Sequence, residues 1–313
     1  MPHVSLKEIL ADAKNRKYTI PCLAALNIES ILGILKAAEE KQSPMILCYN
    51  QQLTPDIPIE MLMPVMVSAA KKSKVPVATT LDHGSDFGLI MKAIHYGSSS
   101  VMFDGSGLPF GENMARTKEI VKIAHSLGVA VEAELGGVGG NVREAVATSA
   151  MESIFTVPAE AVEFVKATGV DCLAISFGNV HGRYTGEPKL DLERVREIAS
   201  MLDVPLVMHG ASGLDEYDYG RIIDAGISKL NYFSAMCRVM YSRLKSFLEG
   251  SKEDAFCINT IPMSVEFWYD ETKKLLDICR CSGKAGNRDT VSQGRIIREI
   301  SEIIAGQVRK YLK

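Results

Sequence analysis

The sequence predicts an α/β protein folded as a (β/α)8 TIM barrel with a C-terminal helical extension. Three observations predict it. Short apolar segments rich in Val, Ile and Leu alternate with longer segments of amphipathic, helix-like pattern. The pair repeats eight times over roughly 230 residues, the count that closes a parallel barrel. No Asn-Gly or similar hairpin signal joins two strand-like segments, so neighbouring strands run parallel. A doubly wound sheet fits less well, because the first strand lacks a glycine-rich turn and the strands are too many for one Rossmann unit.

In chain order, residues 19–26 form an apolar run that reads as the first strand, and 29–41 an amphipathic helix. Residues 44–49 give the second strand and 59–72 its helix. Residues 75–80, a short apolar run with β-branched residues, give the third strand. This strand leads into Asp82-His83, and 86–95 reads as the helix that follows. The fourth unit is strand 98–103 with helix 113–127. The fifth strand, 129–134, runs into a loop with four glycines between Gly136 and Gly140, and helix 158–167 follows. Strand 171–177 with helix 190–201, strand 204–208 with helix 215–225, and strand 227–232 complete the eight. Helices are expected after them over 235–248, 264–277 and 295–311. No linker divides residues 1–281, so they read as one barrel domain, with 282–313 as the extension.

Composition narrows the class. A formal net charge of −3 offers no general attraction to nucleic acid or to an anionic membrane. No apolar run approaches the ~20 residues of a membrane span, and no signal peptide is visible. Seven cysteines without paired spacing fit a reducing cytoplasm.

In a barrel the chemistry sits at the C-terminal ends of the strands. Polar residues cluster there: Asn27, Asn50, Asp82-His83, Asp104 with Ser106, Glu134, His181, His209 and Asn231 with Ser234. Three of the six histidines, His83, His181 and His209, occupy these ends, whereas His3, His95 and His125 fall elsewhere. Three histidines on one cavity form the ligand set of a catalytic zinc site with a fourth position open, and Glu134 is the carboxylate best placed to join. A hydrogen-bonded structural histidine is the plainer account of any one of them alone. Asp82 beside His83 pairs a proton carrier with a metal ligand; an N-cap Asp with a surface His is the plainer account of the dipeptide. Gly210-Ala211-Ser212-Gly213 after the seventh strand, with the loop after the eighth, fits a phosphate site built from backbone N–H groups. Asn27 joins the substrate-binding candidates by position. The loop over 136–140 reads either as the hinge of a lid over the substrate or as a surface loop.

Six segments carry a resemblance. Leu81-Asp82-His83-Gly84, Ser100-Val101-Met102-Phe103-Asp104, Val131-Glu132-Ala133-Glu134-Leu135-Gly136, Gly178-Asn179-Val180-His181-Gly182, His209-Gly210-Ala211-Ser212-Gly213 and Lys229-Leu230-Asn231 resemble the class II, zinc-dependent ketose-bisphosphate aldolases, in the same order. The resemblance implies a barrel that cleaves fructose or tagatose 1,6-bisphosphate to dihydroxyacetone phosphate and an aldehyde phosphate. It implies His83, His181 and His209 as zinc ligands, and Asp82 as the acid/base at the C4 hydroxyl. Glu134 and Asp104 match the carboxylates of an alternative, buried metal position. Gly182, Gly210 and Ser212 match a monovalent-cation and phosphate site, with Asn231 and Ser234 on the donor half. A zinc ion on the carbonyl and adjacent hydroxyl oxygens would stabilise the enediolate left by carbon–carbon cleavage. Cytosolic barrels of this kind are often homo-oligomers, dimers or tetramers.

The match fails in places. An acidic residue usually follows the Gly-Gly of the mobile loop, and Val142 falls where it is expected; Glu144, two residues on, is the candidate substitute. Phe233 stands where fructose-type members carry Asp and tagatose-type members Ala. Thr185 replaces a phosphate-binding Lys of some members, Asn50 a small hydroxyl residue and Leu26 a common Phe. The donor half is therefore better matched than the acceptor half. This predicts an aldolase for a ketose phosphate with an unusual acceptor end. The alternative is a catalytically impaired barrel that binds a sugar phosphate as a sensor or assembly component.

Overall fold

The structure of the protein, a computed structural model, describes residues 2–140, 155–182, 184, 186–251 and 256–286. In chain order the strands are β1 (Ile20–Ala24), β2 (Met45–Tyr49), β3 (Val77–Gly84), β4 (Ser100–Phe103) and β5 (Ala130–Leu135). They continue as β6 (Gly139–Gly140), β7 (Cys172–Ile175), β8 (Val180–His181), β9 (Leu206–Met208) and β10 (Ile227–Asn231). Eight of them close a parallel barrel in the order β1-β2-β3-β4-β5-β7-β9-β10 and back to β1. These are the eight expected strands. Their near-continuous apolar composition follows from burial on both faces, one in the barrel and one under the helices. β6 and β8 form a separate two-stranded parallel pair above the barrel mouth.

The outer helices are α2 (Ile28–Glu40), α3 (Ile59–Lys72), α4 (Phe87–His95), α5 (Phe110–Ser126), α6 (Pro158–Thr168), α7 (Leu192–Met201), α8 (Glu216–Ala225) and α9 (Ser234–Glu249). α10 (Thr260–Ile278) packs along α2, and Gly33 permits the close approach: a Cβ there would lie 2.5 Å from Cβ of Trp268. A further helix, α1 (Leu6–Arg16), precedes β1 and lies outside the eight expected β/α units. It buries Leu6, Ile9, Leu10 and Ala13, a helical-spacing stripe, against the barrel. The residues before it lie along β3, with Val4 N–H donating to Val77 O at 3.0 Å.

The first residues of the 282–313 segment are fastened just past the end of α2: Gly283 N–H donates to Lys41 O and Ala285 N–H to Gln42 O, both at 2.8 Å. The helix expected over 295–311 lies outside the described residues.

β1 ends two residues earlier than expected because Asn27 opens α2. Its side chain accepts from Ser30 N–H at 2.8 Å, and Ser30 Oγ accepts from Asn27 N–H, a capping box. β3 runs longer than expected, and its last turn matters for the site.

Candidate active site

Adjacent side chains on a regular strand point to opposite faces. The end of β3 departs from that rule. Its register with β4 shifts between Leu81 and Gly84, and His83 takes φ 50° in the left-handed region. A bulge of this kind re-aims one side chain and stores local strain. Asp82 and His83 therefore both reach the barrel mouth. The N-cap of α4 belongs to Asp86, which accepts from Leu89 N–H at 2.8 Å, so Asp82 has no capping duty.

His181 is carried by β8 and His209 follows β9. Gly210 brings these two segments together. Its φ is 68°, and a Cβ there would lie 2.5 Å from the Val180 carbonyl carbon and closer still to its oxygen. Asn179 ties them further, donating to His209 O at 2.9 Å. The three rings meet edge to face, with centroids 4.6, 5.2 and 6.0 Å apart. One ring nitrogen from each lies within 4.8 Å of the others.

Carboxylates behind two of the rings fix which nitrogen faces the centre. His83 Nδ1 lies 2.7 Å from Asp104 Oδ2, and His209 Nε2 lies 2.9 Å from Glu132 Oε1. A carboxylate only accepts, so each of these nitrogens carries the proton. The opposite nitrogens, His83 Nε2 and His209 Nδ1, then face each other 3.0 Å apart, close enough to share a proton or a metal ion. That arrangement requires a positive charge between them. Three imidazoles at zinc bond lengths of about 2.0–2.1 Å would hold their nitrogens about 3.3 Å apart, so the donor set fits zinc. A second group, His83, Asp104 and Glu134, also brings one donor atom each within 4.8 Å. Glu134 Oε2 there is buried with no hydrogen-bond partner among the described residues, as an oxygen awaiting a cation would be.

Electrostatics agree with that need. Burial disfavours a charged His83, but Asp82, Asp104 and Glu134 outweigh it and raise its pKa to about 10. His181, buried against the other two rings, falls to about 3. Burial and the neighbouring Asp104 push Glu134 above the usual carboxylate range. Asp82 stays below that range although buried, because His83, His209, Lys229 and the Asn50 hydrogen bond favour its anion. Asn50 Nδ2 donates to Asp82 Oδ2 at 3.0 Å, and Asn231 Nδ2 donates to Oδ1 at 2.7 Å.

Asp82, Asn50, Asn231 and the three histidines line one cleft with Leu53, Gly182, Gly210, Ser212, Phe233 and Ser234. Ser212 Oγ accepts from Phe233 N–H at 3.3 Å and Ala235 N–H at 3.2 Å, so it serves the start of α9. Ser234 opens α9 at the rim of the cleft.

The structure thus gathers Asp82, His83, His181, His209, Gly182, Gly210, Ser212, Asn231 and Ser234 on one cleft, with Asp104 and Glu134 beside His83. It does not bring Asn27 there: that side chain caps α2, and the residue lines a separate pocket with Trp268 and Cys237. Within the glycine loop only Gly139 and Gly140 form a strand, β6: Gly139 pairs with Val180 and Gly140 with His181, a candidate ligand. Glu144, Val142 and Thr185 lie outside the described residues. Sequence reasoning gave no role to Glu132 and Lys229, whose buried side chains meet at 2.8 Å inside the barrel. Their signal was parity: each lies two residues from a site residue, Glu134 or Asn231, on the same strand face.

The chain belongs to the class II fructose-bisphosphate aldolase family, matching the family described as "Fructose-bisphosphate aldolase class-II" over residues 4–284. It is 40% identical over 235 residues to the uncharacterized protein YdjI of Escherichia coli K12, covering 75% of this chain and 84% of that one. The crystal structure of the YdjI aldolase superposes with a TM-score of 0.81 at 33% identity, over 90% of this chain and 99% of that one. A putative fructose-1,6-biphosphate aldolase from Coccidioides immitis gives a TM-score of 0.80 at 29% identity, over 90% and 97%.

Proposed function

We propose that the protein is a zinc-dependent aldolase that reversibly cleaves a ketose phosphate or bisphosphate to dihydroxyacetone phosphate and an aldehyde. The observation that carries this reading is the convergence of three histidine nitrogens, two of them backed by carboxylates, beside an ionised and doubly hydrogen-bonded Asp82. His83, His181 and His209 would hold the zinc, which when bound supplies a Lewis acid to draw charge from the substrate carbonyl.

The chain's own residues do the rest. Asp82 takes the proton of the C4 hydroxyl as the C3–C4 bond breaks, and returns it in condensation. The bonding pair stays with the donor fragment, whose C3 then needs a proton. Glu144 is the proposed source of that proton, in place of the acid missing at Val142. Gly210, Ser212 and the first turn of α9 hold the donor phosphate, with Gly182 completing a monovalent-cation site. Asn231 and Ser234 meet the donor half. Fixing both ends in this way leaves the scissile bond oriented before reaction. Phe233 and Asn50 reshape the acceptor end, so the aldehyde differs from that of the fructose-type members.

Among the described residues no helix is long and apolar enough to cross a membrane, and all seven cysteines are free thiols. The proposal places the enzyme in the cytoplasm, acting on a small sugar phosphate, with no nucleic-acid or membrane partner. A homo-oligomer, dimer or tetramer, completes the proposal.

Asp82→Ala tests the reading. The variant is expected to keep its zinc, because Asp82 is not a ligand, and to lose ~10²–10⁴-fold in dihydroxyacetone-phosphate release. Unchanged release would remove Asp82 from the mechanism.

A further inference from the structure

The barrel interior holds a charged pair that the proposed reaction does not use. Glu132 on β5 and Lys229 on β10 lie three strands apart, and each side chain is about 1% exposed, with Nζ 2.8 Å from Oε2 and 3.1 Å from Oε1. Burying two charges is expensive, and an apolar pair of similar volume often does as well for stability. This pair touches both halves of the site. Lys229 Nζ donates to Asn231 Oδ1 at 2.7 Å, and Glu132 Oε1 faces His209 Nε2 at 2.9 Å.

We propose that Lys229 and Glu132 are positioning residues that fix the hydrogen-bond direction of Asp82 and His209 together. The inference rests on the aldolase reading of the cleft. An ammonium group has only donors, so Asn231 must turn its oxygen to Lys229 and its NH2 to Asp82. That NH2 holds Asp82 Oδ1 at 2.7 Å while Asn50 holds Oδ2 at 3.0 Å, so the carboxylate is gripped at both oxygens. A carboxylate has only acceptors, so Glu132 obliges His209 to carry its proton on Nε2. The bare Nδ1 is then presented to the cleft, 3.0 Å from His83 Nε2. One donor-only and one acceptor-only group, facing each other, thus set the amide of Asn231 and the tautomer of His209. Neither can be satisfied the other way round.

Glu132→Gln tests this with almost no change of shape. Its amide oxygen must face Lys229, so its NH2 faces His209 and moves the ring proton to Nδ1, where it blocks the ligand position. Zinc affinity, read by competition with a chelator, is expected to fall about 10- to 100-fold. The ring ¹⁵N resonances of His209 in the zinc-free protein are expected to show the exchanged tautomer. In Glu132→Gln/Lys229→Met the amide is free to turn its oxygen to His209. Most of the zinc affinity is expected to return, while kcat stays low with KM little changed, because Asn231 has lost the donor that aims it at Asp82.

Wild-type zinc affinity and tautomer in Glu132→Gln would overturn the proposal. So would identical behaviour of the single and double variants, or failure of both to fold, which would make the pair a folding element only. If the wild-type protein itself holds zinc but releases no dihydroxyacetone phosphate, the aldolase reading fails while the zinc and tautomer measurements still judge the pair.

Discussion

Replacing Gly210 with Ala should damage the metal site through the backbone rather than through any lost side chain. The added Cβ would lie 2.5 Å from the Val180 carbonyl carbon, where ordinary contact begins at 3.4 Å. β8 would have to recede by more than about 0.9 Å to relieve it, because the Val180 oxygen is closer still, and packed backbone resists such shifts. β8 carries His181, so the displacement falls directly on one of the three donor nitrogens. A misplacement of about 1 Å costs on the order of 10²-fold in activity.

Gly213→Ala is the control. Gly213 has a comparable positive φ of 93°, but the nearest atom to an added Cβ is Tyr184 Cδ2 at 3.9 Å. That variant should pay only the left-handed backbone cost of about 1 kcal/mol. Gly210→Ala should lose roughly 2–4 kcal/mol, the range of strain plus overpacking. Calorimetry would give the stability difference, and chelator competition the zinc affinity of each variant. The reasoning predicts a weakened site in Gly210→Ala alone. Equal zinc affinity in the two variants would refute the claim that close approach at Gly210 places His181.

Two further outcomes follow from the structure. Burial raises the Cys281 thiol from 9.0 to about 12, while the unfolded chain ionises it near 9, so its contribution is intact below pH 9 and is lost as the pH rises towards 12. At pH 10 this amounts to about 1.4 kcal/mol, and Cys281→Ala should therefore lose less stability than wild type between pH 8 and pH 10 in urea unfolding; equal losses would contradict it. Phe233 lines the cleft beside Ser234, so Phe233→Ala should shift the kcat/KM ratio between long- and short-chain ketose phosphates by about 10-fold towards the longer ones, and an unchanged ratio would place the ring away from the acceptor.

The barrel was legible because its signal is redundant: eight apolar strands, each followed by an amphipathic helix, leave few other topologies. The histidines were legible because strand ends are where this architecture places chemistry. Local geometry was less so. Nothing in the composition of Asp82-His83 announces a register shift and a left-handed His83, yet these let both side chains reach one cavity. Asn27 is ambiguous in the sequence because an Asn just past a strand end serves equally as a ligand contact or a helix cap, and Ser30, three residues on, decides for the cap. Glu132 and Lys229 were passed over as parts of motifs because a charge inside an apolar strand shows its purpose only when its partner, three strands away, is seen. α1 carried a readable stripe of Leu6, Ile9, Leu10 and Ala13, but it stands outside the β/α repeat that organised the reading.

The most direct measurement is the metal content of the purified protein together with dihydroxyacetone-phosphate release from a panel of ketose mono- and bisphosphates, with and without chelator. Near one zinc per chain and release abolished by chelator are the predicted result, and the best substrate would identify the acceptor that fits beside Phe233. Release that survives complete metal removal, or a protein that binds no metal at all, would contradict the account.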